Sequence, residues 1–393
     1  MTESKTRAET TFVDKLLSAL ADCLPEERPI PLHAPIFEGN EWHYVKDCLD
    51  TGWVSSVGAY VNRFETELSR YTGAKNAIAT VNGTCALMVS LRALGVEPDD
   101  EVLVPDLTFV ATANAVSHLG AVPHFVDCSL ETLGVDPEKL KSWLEKVGEK
   151  RKNGLFNRET GRRVKALIAM HTFGHPCRID DIKEVCESYN VILVEDAAES
   201  IGSFYKGKHT GLWGKASTLS FNGNKTITTG GGGAVITDDD ELASKIRHLT
   251  TTAKEPHIWR FFHDQVGYNF RMPNLNAALG CAQLERLDQF IASKRALLNT
   301  YKKAMQSIEG ATIFEEPPEC NSNYWLHVLI LDKSHAPMLT EILDKANHQG
   351  FQVRPAWELM HTLPMYCRNP KMPTRTAEQL RNSVLCLPSS ANL

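Results

Sequence analysis

Val191-Ile192-Leu193-Val194-Glu195-Asp196-Ala197-Ala198-Glu199 and, further on, Ser220-Phe221-Asn222-Gly223-Asn224-Lys225-Thr226-Ile227-Thr228-Thr229-Gly230-Gly231-Gly232-Gly233 decide the fold. The apolar run 191–194 reads as a strand that ends in two acids. A second short strand, 217–221, ends in a polar loop carrying one lysine. The glycines then lead into a third strand, 234–237. In a parallel α/β sheet the carboxyl ends of the strands share one edge, and ligands bind there. Asp196 and Lys225 are therefore expected in one crevice. The glycine run precedes a strand instead of following one, so it is not a dinucleotide fingerprint. It is expected to relieve crowding beside the lysine.

A lysine amine and a buried aspartate facing one pocket suit pyridoxal phosphate. The lysine forms a Schiff base with the aldehyde. The aspartate keeps the pyridine nitrogen protonated, so that the ring draws electrons. Taken singly, each residue has a plainer reading, Lys225 as a solvated loop lysine and Asp196 as a strand-end cap; the pair in its strand context is the specific signal.

Working outward, strand–helix alternation recurs on both sides. Strands are expected at 77–81, 101–105, 122–126 and 164–170, with helices between them. Such repetition predicts a mostly parallel sheet with helices on both faces. Asn82-Gly83-Thr84 follows the first strand and opens a helix. There, backbone N–H groups and the positive dipole end face an anion, so Gly83 and Thr84 are candidate phosphate ligands. Phe109 lies at the next strand-to-helix turn, where its ring can lie flat on a pyridine or serve the core. His171, after the strand 164–170, faces the same crevice, as a capped structural histidine or a substrate contact. Charge-dense residues 141–165 read as a solvated helix and a surface hairpin or loop.

These motifs carry a resemblance. From about residue 31 onward the chain resembles the DegT/DnrJ/EryC1/StrS family of pyridoxal phosphate-dependent sugar aminotransferases. The motifs are Asn82-Gly83-Thr84, Pro105-Asp106-Leu107-Thr108-Phe109, Glu195-Asp196-Ala197-Ala198-Glu199, the Lys225 loop and Gly267-Tyr268-Asn269-Phe270-Arg271-Met272. The resemblance implies an aspartate aminotransferase-like fold, with a mixed, mostly parallel seven-stranded sheet and a small C-terminal α+β domain. The expected division is a helical arm at 1–30, a large cofactor-binding domain at 31–273, and a linking helix with the small domain at 274–393. Residues 234–237 are its expected antiparallel strand.

The resemblance also implies site roles. Lys225 and Asp196 are catalytic. Ser220 joins Gly83 and Thr84 at the phosphate, Phe109 stacks on the ring, and Glu199 lies beside the ring oxygen. Asn269 reaches the phosphate of a neighbouring subunit, which makes a homodimer with shared sites. Trp53 lines the sugar site or packs in the core; Ser56, His171, Asn222 and His361 offer polar contacts to substrate. Pro31-Leu32-His33-Ala34-Pro35 and the segment 53–58 are most similar to aminotransferases of bacillosamine and legionaminic acid synthesis. The implied reaction moves an amine from L-glutamate to C4 of a nucleotide-linked 4-keto-6-deoxy-N-acetylhexosamine, for surface glycan synthesis. A 3-keto substrate, or a cofactor-binding regulator without turnover, is the alternative. A dehydratase of the same fold is disfavoured, because such relatives carry histidine where this chain has Lys225.

Composition agrees. With 393 residues there is room for two domains. The net charge of −6 argues against nucleic acid or an anionic membrane as partner. Ten cysteines without Cys-x-x-Cys pairs give no metal site and suit a reduced, cytoplasmic setting. No apolar run reaches membrane-spanning length, and residues 1–10 lack the layout of a signal peptide. Residues 11–24 read as one amphipathic helix packed on the body.

Overall fold

A computed structural model describes residues 11–393; residues 1–10, whose sequence lacks a signal-peptide layout, lie outside the described residues. Its main sheet is built on seven strands: β1 (Asn76–Thr80), β2 (Glu101–Pro105), β3 (Val122–Val126), β4 (Arg163–Met170), β5 (Ile192–Asp196), β6 (Ala216–Ser220) and β7 (Gly233–Thr237). Their spatial order is β1-β7-β6-β5-β4-β2-β3. All neighbours pair in parallel except β7, which runs antiparallel to both β1 and β6. The near-continuous burial of these strands explains their apolar sequences, since helices cover both faces.

The charge-dense region is a helix, Pro137–Val147, followed by a hairpin, as its sequence suggests, but the hairpin joins the sheet instead of standing on the surface. Residues Gly148–Arg151 and Gly154–Asn157 form a hairpin that pairs with the start of β4 and extends the sheet. The cause is a buried polar knot. The Glu101 carboxylate accepts from Asn157 Nδ2 at 3.0 Å and pairs with His124 Nδ1 at 2.8 Å, and Trp143 Nε1 donates to His124 Nε2 at 2.9 Å. A buried carboxylate needs such partners, and the hairpin supplies one of them.

The expected long helix from Asn274 is two helices, Asn274–Leu284 and Leu287–Met305. The break falls at Glu285, whose carboxylate accepts from Asn40, Tyr44 and Arg63. A four-stranded antiparallel sheet follows, in the order Ala311–Ile313, His327–Leu331, Val384–Leu387, Arg354–Pro355. The N-terminal helix, Phe12–Asp22, is capped by Thr11, whose hydroxyl accepts from the Asp14 N–H. Val13, Leu16, Leu17 and Leu20 pack against Leu297, Tyr301 and Met305. Among the described residues no helix is long and apolar enough to cross a membrane.

Candidate active site

The carboxyl ends of β5 and β6 place their functional groups in one cavity of about 290 Å³. It is lined by Gly83, Thr84, Phe109, Asp196, Glu199, Ser220, Asn222 and Lys225. Eight residues singled out in the sequence thus come together here. Lys225 sits on the loop after β6, its side chain 12% exposed, with Nζ 3.2 Å from Glu199 Oε1. Asp196 is buried at the end of β5. Its Oδ2 accepts from the Thr112 hydroxyl at 2.7 Å and its Oδ1 from the Ala198 N–H at 3.1 Å. Burial pushes the Asp196 carboxyl up, against those two hydrogen bonds and the nearby Lys225 charge. Burial likewise raises Glu199, to about 7.

Gly83 and Thr84 open the helix Gly83–Ala93, and the Asn82 side chain caps it by accepting from the Cys85 N–H at 2.8 Å. The first N–H groups of a helix have no intrahelical acceptor, so those of Gly83 and Thr84 are left for an anion. Of the glycine run, Gly233 serves this turn, and none of the four lies against the lysine. A Cβ on Gly233 would lie 2.5 Å from the Asn82 carbonyl carbon and 2.6 Å from the Gly83 nitrogen. Glycine there lets β7 pass directly under the anion-binding turn.

Five predicted residues lie outside this cavity. His171 is the clearest correction. It is fully buried, with Nε2 3.0 Å from Glu195 Oε2 and Nδ1 accepting from the Cys177 N–H at 3.3 Å. Successive residues of a strand face opposite sides: Met170 and Asp196 line the cavity, while Glu195 and His171 turn away from it. Glu195 also accepts from the Gly211, Trp213 and Gly214 N–H groups at 2.7 Å each. Burial opposes a charge on His171, while Cys177 and Glu195 favour it. Because Nδ1 accepts a backbone N–H, the ring proton sits on Nε2 and is donated to Glu195, a buried hydrogen-bonded pair behind the site.

His361 points its Nδ1 at Asp106 Oδ2, 2.6 Å away, and its N–H at the other oxygen. Trp53 is 58% exposed, which removes the core reading, and Ser56 is half-buried beside it. Asn269 is exposed in a bridge to Thr251 and does not line the cavity of its own chain.

Two tryptophans line the cavity without having been singled out. Trp325 presents its ring to Lys225, with Nζ 4.0 Å from the ring centroid, and its Nε1 donates to the Asn224 carbonyl at 2.7 Å. An ammonium over an indole face is stabilised by about 0.5–2 kcal/mol. Tyr324, just before it, adopts φ +49°, a left-handed conformation that a bulky side chain rarely takes. Trp357 stacks on Phe173 at 4.7 Å and meets the edge of Phe109. No local motif announces either residue; unexplained tryptophans late in the chain were the only signal.

Sequence comparison matches residues 35–393 to the DegT/DnrJ/EryC1/StrS aminotransferase family. The chain belongs to that family. It is 38% identical to the GDP-perosamine synthase of Escherichia coli O157:H7 over 337 residues, covering 86% of this chain and 87% of the relative. The GDP-perosamine synthase of Vibrio cholerae is 37% identical over 354 residues, 90% of this chain and 91% of that one. Among solved structures, the aminotransferase TlmJ from Streptoalloteichus hindustanus superposes with a TM-score of 0.83 at 26% identity, over 93% of this chain and 94% of TlmJ.

Members of this DegT/DnrJ/EryC1/StrS family are sugar aminotransferases that use pyridoxal phosphate, and this cavity fits that cofactor. It offers unpaired N–H groups for a phosphate, a buried carboxylate for a ring nitrogen, and a lysine amine for an aldehyde. The strand-end placement of Lys225 and Asp196 is what the fold requires of such a site.

Proposed function

We propose that the chain transfers an amino group from L-glutamate to C4 of a nucleotide-linked 4-keto-6-deoxy-N-acetylhexosamine, giving a 4-amino sugar for surface glycan synthesis. The observation that carries this reading is the convergence of Lys225, Asp196 and the Gly83–Thr84 helix start on one cavity. Pyridoxal phosphate, when bound, supplies an electron sink for the carbon that loses its proton. The chain supplies the rest. The N–H groups of Gly83 and Thr84 and the Ser220 hydroxyl hold the phosphate, and Phe109 covers the ring. Asp196 fixes the ring nitrogen as a cation. The Lys225 amine moves the proton between carbon centres as base and then as acid. Asn222 gives the sugar a polar contact within the cavity, and Trp325 and Trp357 give it apolar surface.

A buried polar group discriminates strongly when its partner is missing, whereas one methyl is worth only about 1–3 kcal/mol. The acetamido group should therefore matter more than the 6-deoxy carbon. The test is a panel of UDP- and GDP-linked 3-keto and 4-keto sugars with glutamate, the product amine being located by NMR. GDP-linked sugars belong in it because two relatives are named GDP-perosamine synthases. An amine at C3, or equal turnover without the acetamido group, would overturn the substrate while leaving transamination intact.

We further propose a homodimer in which Asn269 completes the partner's phosphate site. Asn269 is exposed and outside the lining of its own cavity, and it follows a loop whose Ile258, Trp259 and Phe261 are 99%, 75% and 78% exposed. So much exposed apolar surface marks an interaction site. One hydrogen bond to a charged group is worth about 1.5–3 kcal/mol. Asn269→Ala should therefore weaken pyridoxal phosphate binding by roughly tenfold or more. Sedimentation of the wild type should show dimers. A monomer with full activity at assay concentration refutes the shared site.

A further inference from the structure

Asn323 stands where the C-terminal sheet meets the cavity. It is fully buried, in the segment that leads into the strand His327–Leu331. Its Nδ2 donates to the Glu199 carbonyl at 2.9 Å and to the Ile201 carbonyl at 2.8 Å, both just after β5. Its Oδ1 accepts the Trp325 N–H at 2.8 Å, and its own N–H is donated to the Ser203 hydroxyl at 2.9 Å. A primary amide carries two N–H donors and an acceptor oxygen, and this site uses all of them. Aspartate has the same shape but would set an oxygen against two carbonyls.

The surrounding backbone is bent to admit this side chain. Gly174 adopts φ +95°, and a Cβ there would lie 2.0 Å from Asn323 Oδ1. Tyr324 and Phe173 adopt φ +49° and +57°, left-handed conformations uncommon for bulky residues. Such conformations persist only where the neighbouring structure holds them, and they cluster at functional sites. Here they carry two walls of the cavity. Trp325 follows the Tyr324 kink, and Trp357 stacks on the Phe173 ring. The Leu326 N–H is donated to the Phe173 carbonyl at 3.3 Å and ties the two kinks together. The partners of Asn323 are backbone groups and one serine hydroxyl, none of them a group given to the cofactor above.

Resting on the reading that this cavity takes a keto sugar, we propose that Asn323 is a positioning residue that sets the Trp325 wall of the sugar site. It acts through Trp325 and touches neither substrate nor cofactor. The Oδ1 bond fixes the backbone from which the indole projects. The Nδ2 bonds fix that backbone against the chain that follows Asp196. The far end of the indole is held separately, by the Asn224 carbonyl. Without Asn323 that outer bond remains, but the Tyr324 kink can relax and the wall shifts. A displacement of about 1 Å in a positioning group costs up to about 10²-fold.

The test uses the full chain loaded with pyridoxal phosphate, with L-glutamate as donor and UDP- and GDP-linked 4-keto-6-deoxy-N-acetylhexosamines as acceptors. Asn323→Ala, Asn323→Ser, Trp325→Ala and the double variant Asn323→Ala, Trp325→Ala are compared with the wild type. In Asn323→Ala the sugar KM should rise by about 10- to 100-fold, with kcat within about threefold, because a binding wall is lost and not a transition-state contact. A smaller folded fraction alone would lower kcat and leave KM unchanged. Asn323→Ser keeps an acceptor within reach of the Trp325 N–H and should recover part of the sugar KM. Trp325→Ala should raise that KM at least as much as Asn323→Ala. The double variant should be no more than about threefold worse than Trp325→Ala, since residues that act as one unit are not additive; losses that multiply would overturn the proposal. Hydrogen exchange gives a readout that needs no substrate. The Trp325 amide, held by Oδ1, should exchange about tenfold faster or more in Asn323→Ala, while amides of β4 and β5 keep their wild-type rates. A sugar KM within about threefold of the wild type, an unchanged Trp325 amide, or exchange that accelerates throughout the sheet overturns the proposal alone. A wild type whose cofactor L-glutamate converts but no keto sugar regenerates overturns the substrate reading and this proposal with it.

Discussion

Lys225→Ala is expected to remove transamination, a loss of about 10⁴-fold or more, while leaving a folded protein. Two contributions disappear together. Positioned proton transfer is worth about 10²- to 10⁴-fold, and the covalent hold of a lysine on a carbonyl adds to it. Stability should change little, for a reason the site itself supplies. Glu199 would lose its partner, but its carboxyl already titrates near 7 because it is buried. Without the lysine charge its pKa rises further, so at neutral pH it takes up a proton instead of remaining a stranded anion. Truncation also leaves space between Glu199 and the Trp325 ring, which flank Nζ at 3.2 and 4.0 Å. A small primary amine added to the assay should enter that space and restore part of the rate. The check is steady-state turnover with and without the added amine, alongside thermal unfolding. Activity within tenfold of the wild type would remove Lys225 from the chemistry.

Asp196→Asn should lower turnover by roughly 10- to 1000-fold. A carboxylate beside a ring nitrogen raises that nitrogen's pKa by about 1–3 units, and each unit changes the protonated fraction by about tenfold. Asparagine keeps the size and one carbonyl oxygen, so the contact with Thr112 can persist; what is lost is the charge. The structure shows which groups favour that charge. Burial alone would drive Asp196 toward the neutral acid, and the Thr112 hydroxyl, the Ala198 N–H and the Lys225 charge oppose it. Turnover is measured beside the nitrogen-15 shift of the labelled cofactor ring. A variant within twofold of wild type, with an unchanged shift, would end the assignment.

Much of this molecule could be read from its residues. A strand buried on both faces must be apolar along its length and can turn polar only where it ends. That rule located β5 and β6 and, with them, Asp196 and Lys225 on one edge. Helix-start chemistry located Gly83 and Thr84 by the same kind of local argument. These signals depend on a few consecutive residues, so they survive in a bare sequence.

What tertiary structure decided lies beyond that range. Glu195 and Asp196 are adjacent and chemically alike, yet one faces the cavity and the other binds His171 behind it. That choice is set by the pleat and by the 211–214 loop, whose N–H groups claim Glu195. The hairpin at 148–157 looked like solvated charge until Asn157 was needed by the buried Glu101. Trp325 comes a hundred residues after Lys225, and its ring reaches the amine through the Tyr324 kink and the bond to the Asn224 carbonyl. In each case the deciding partner is distant in the chain. Local sequence fixes which groups exist and which strand end carries them; only packing against remote backbone fixes which way they face.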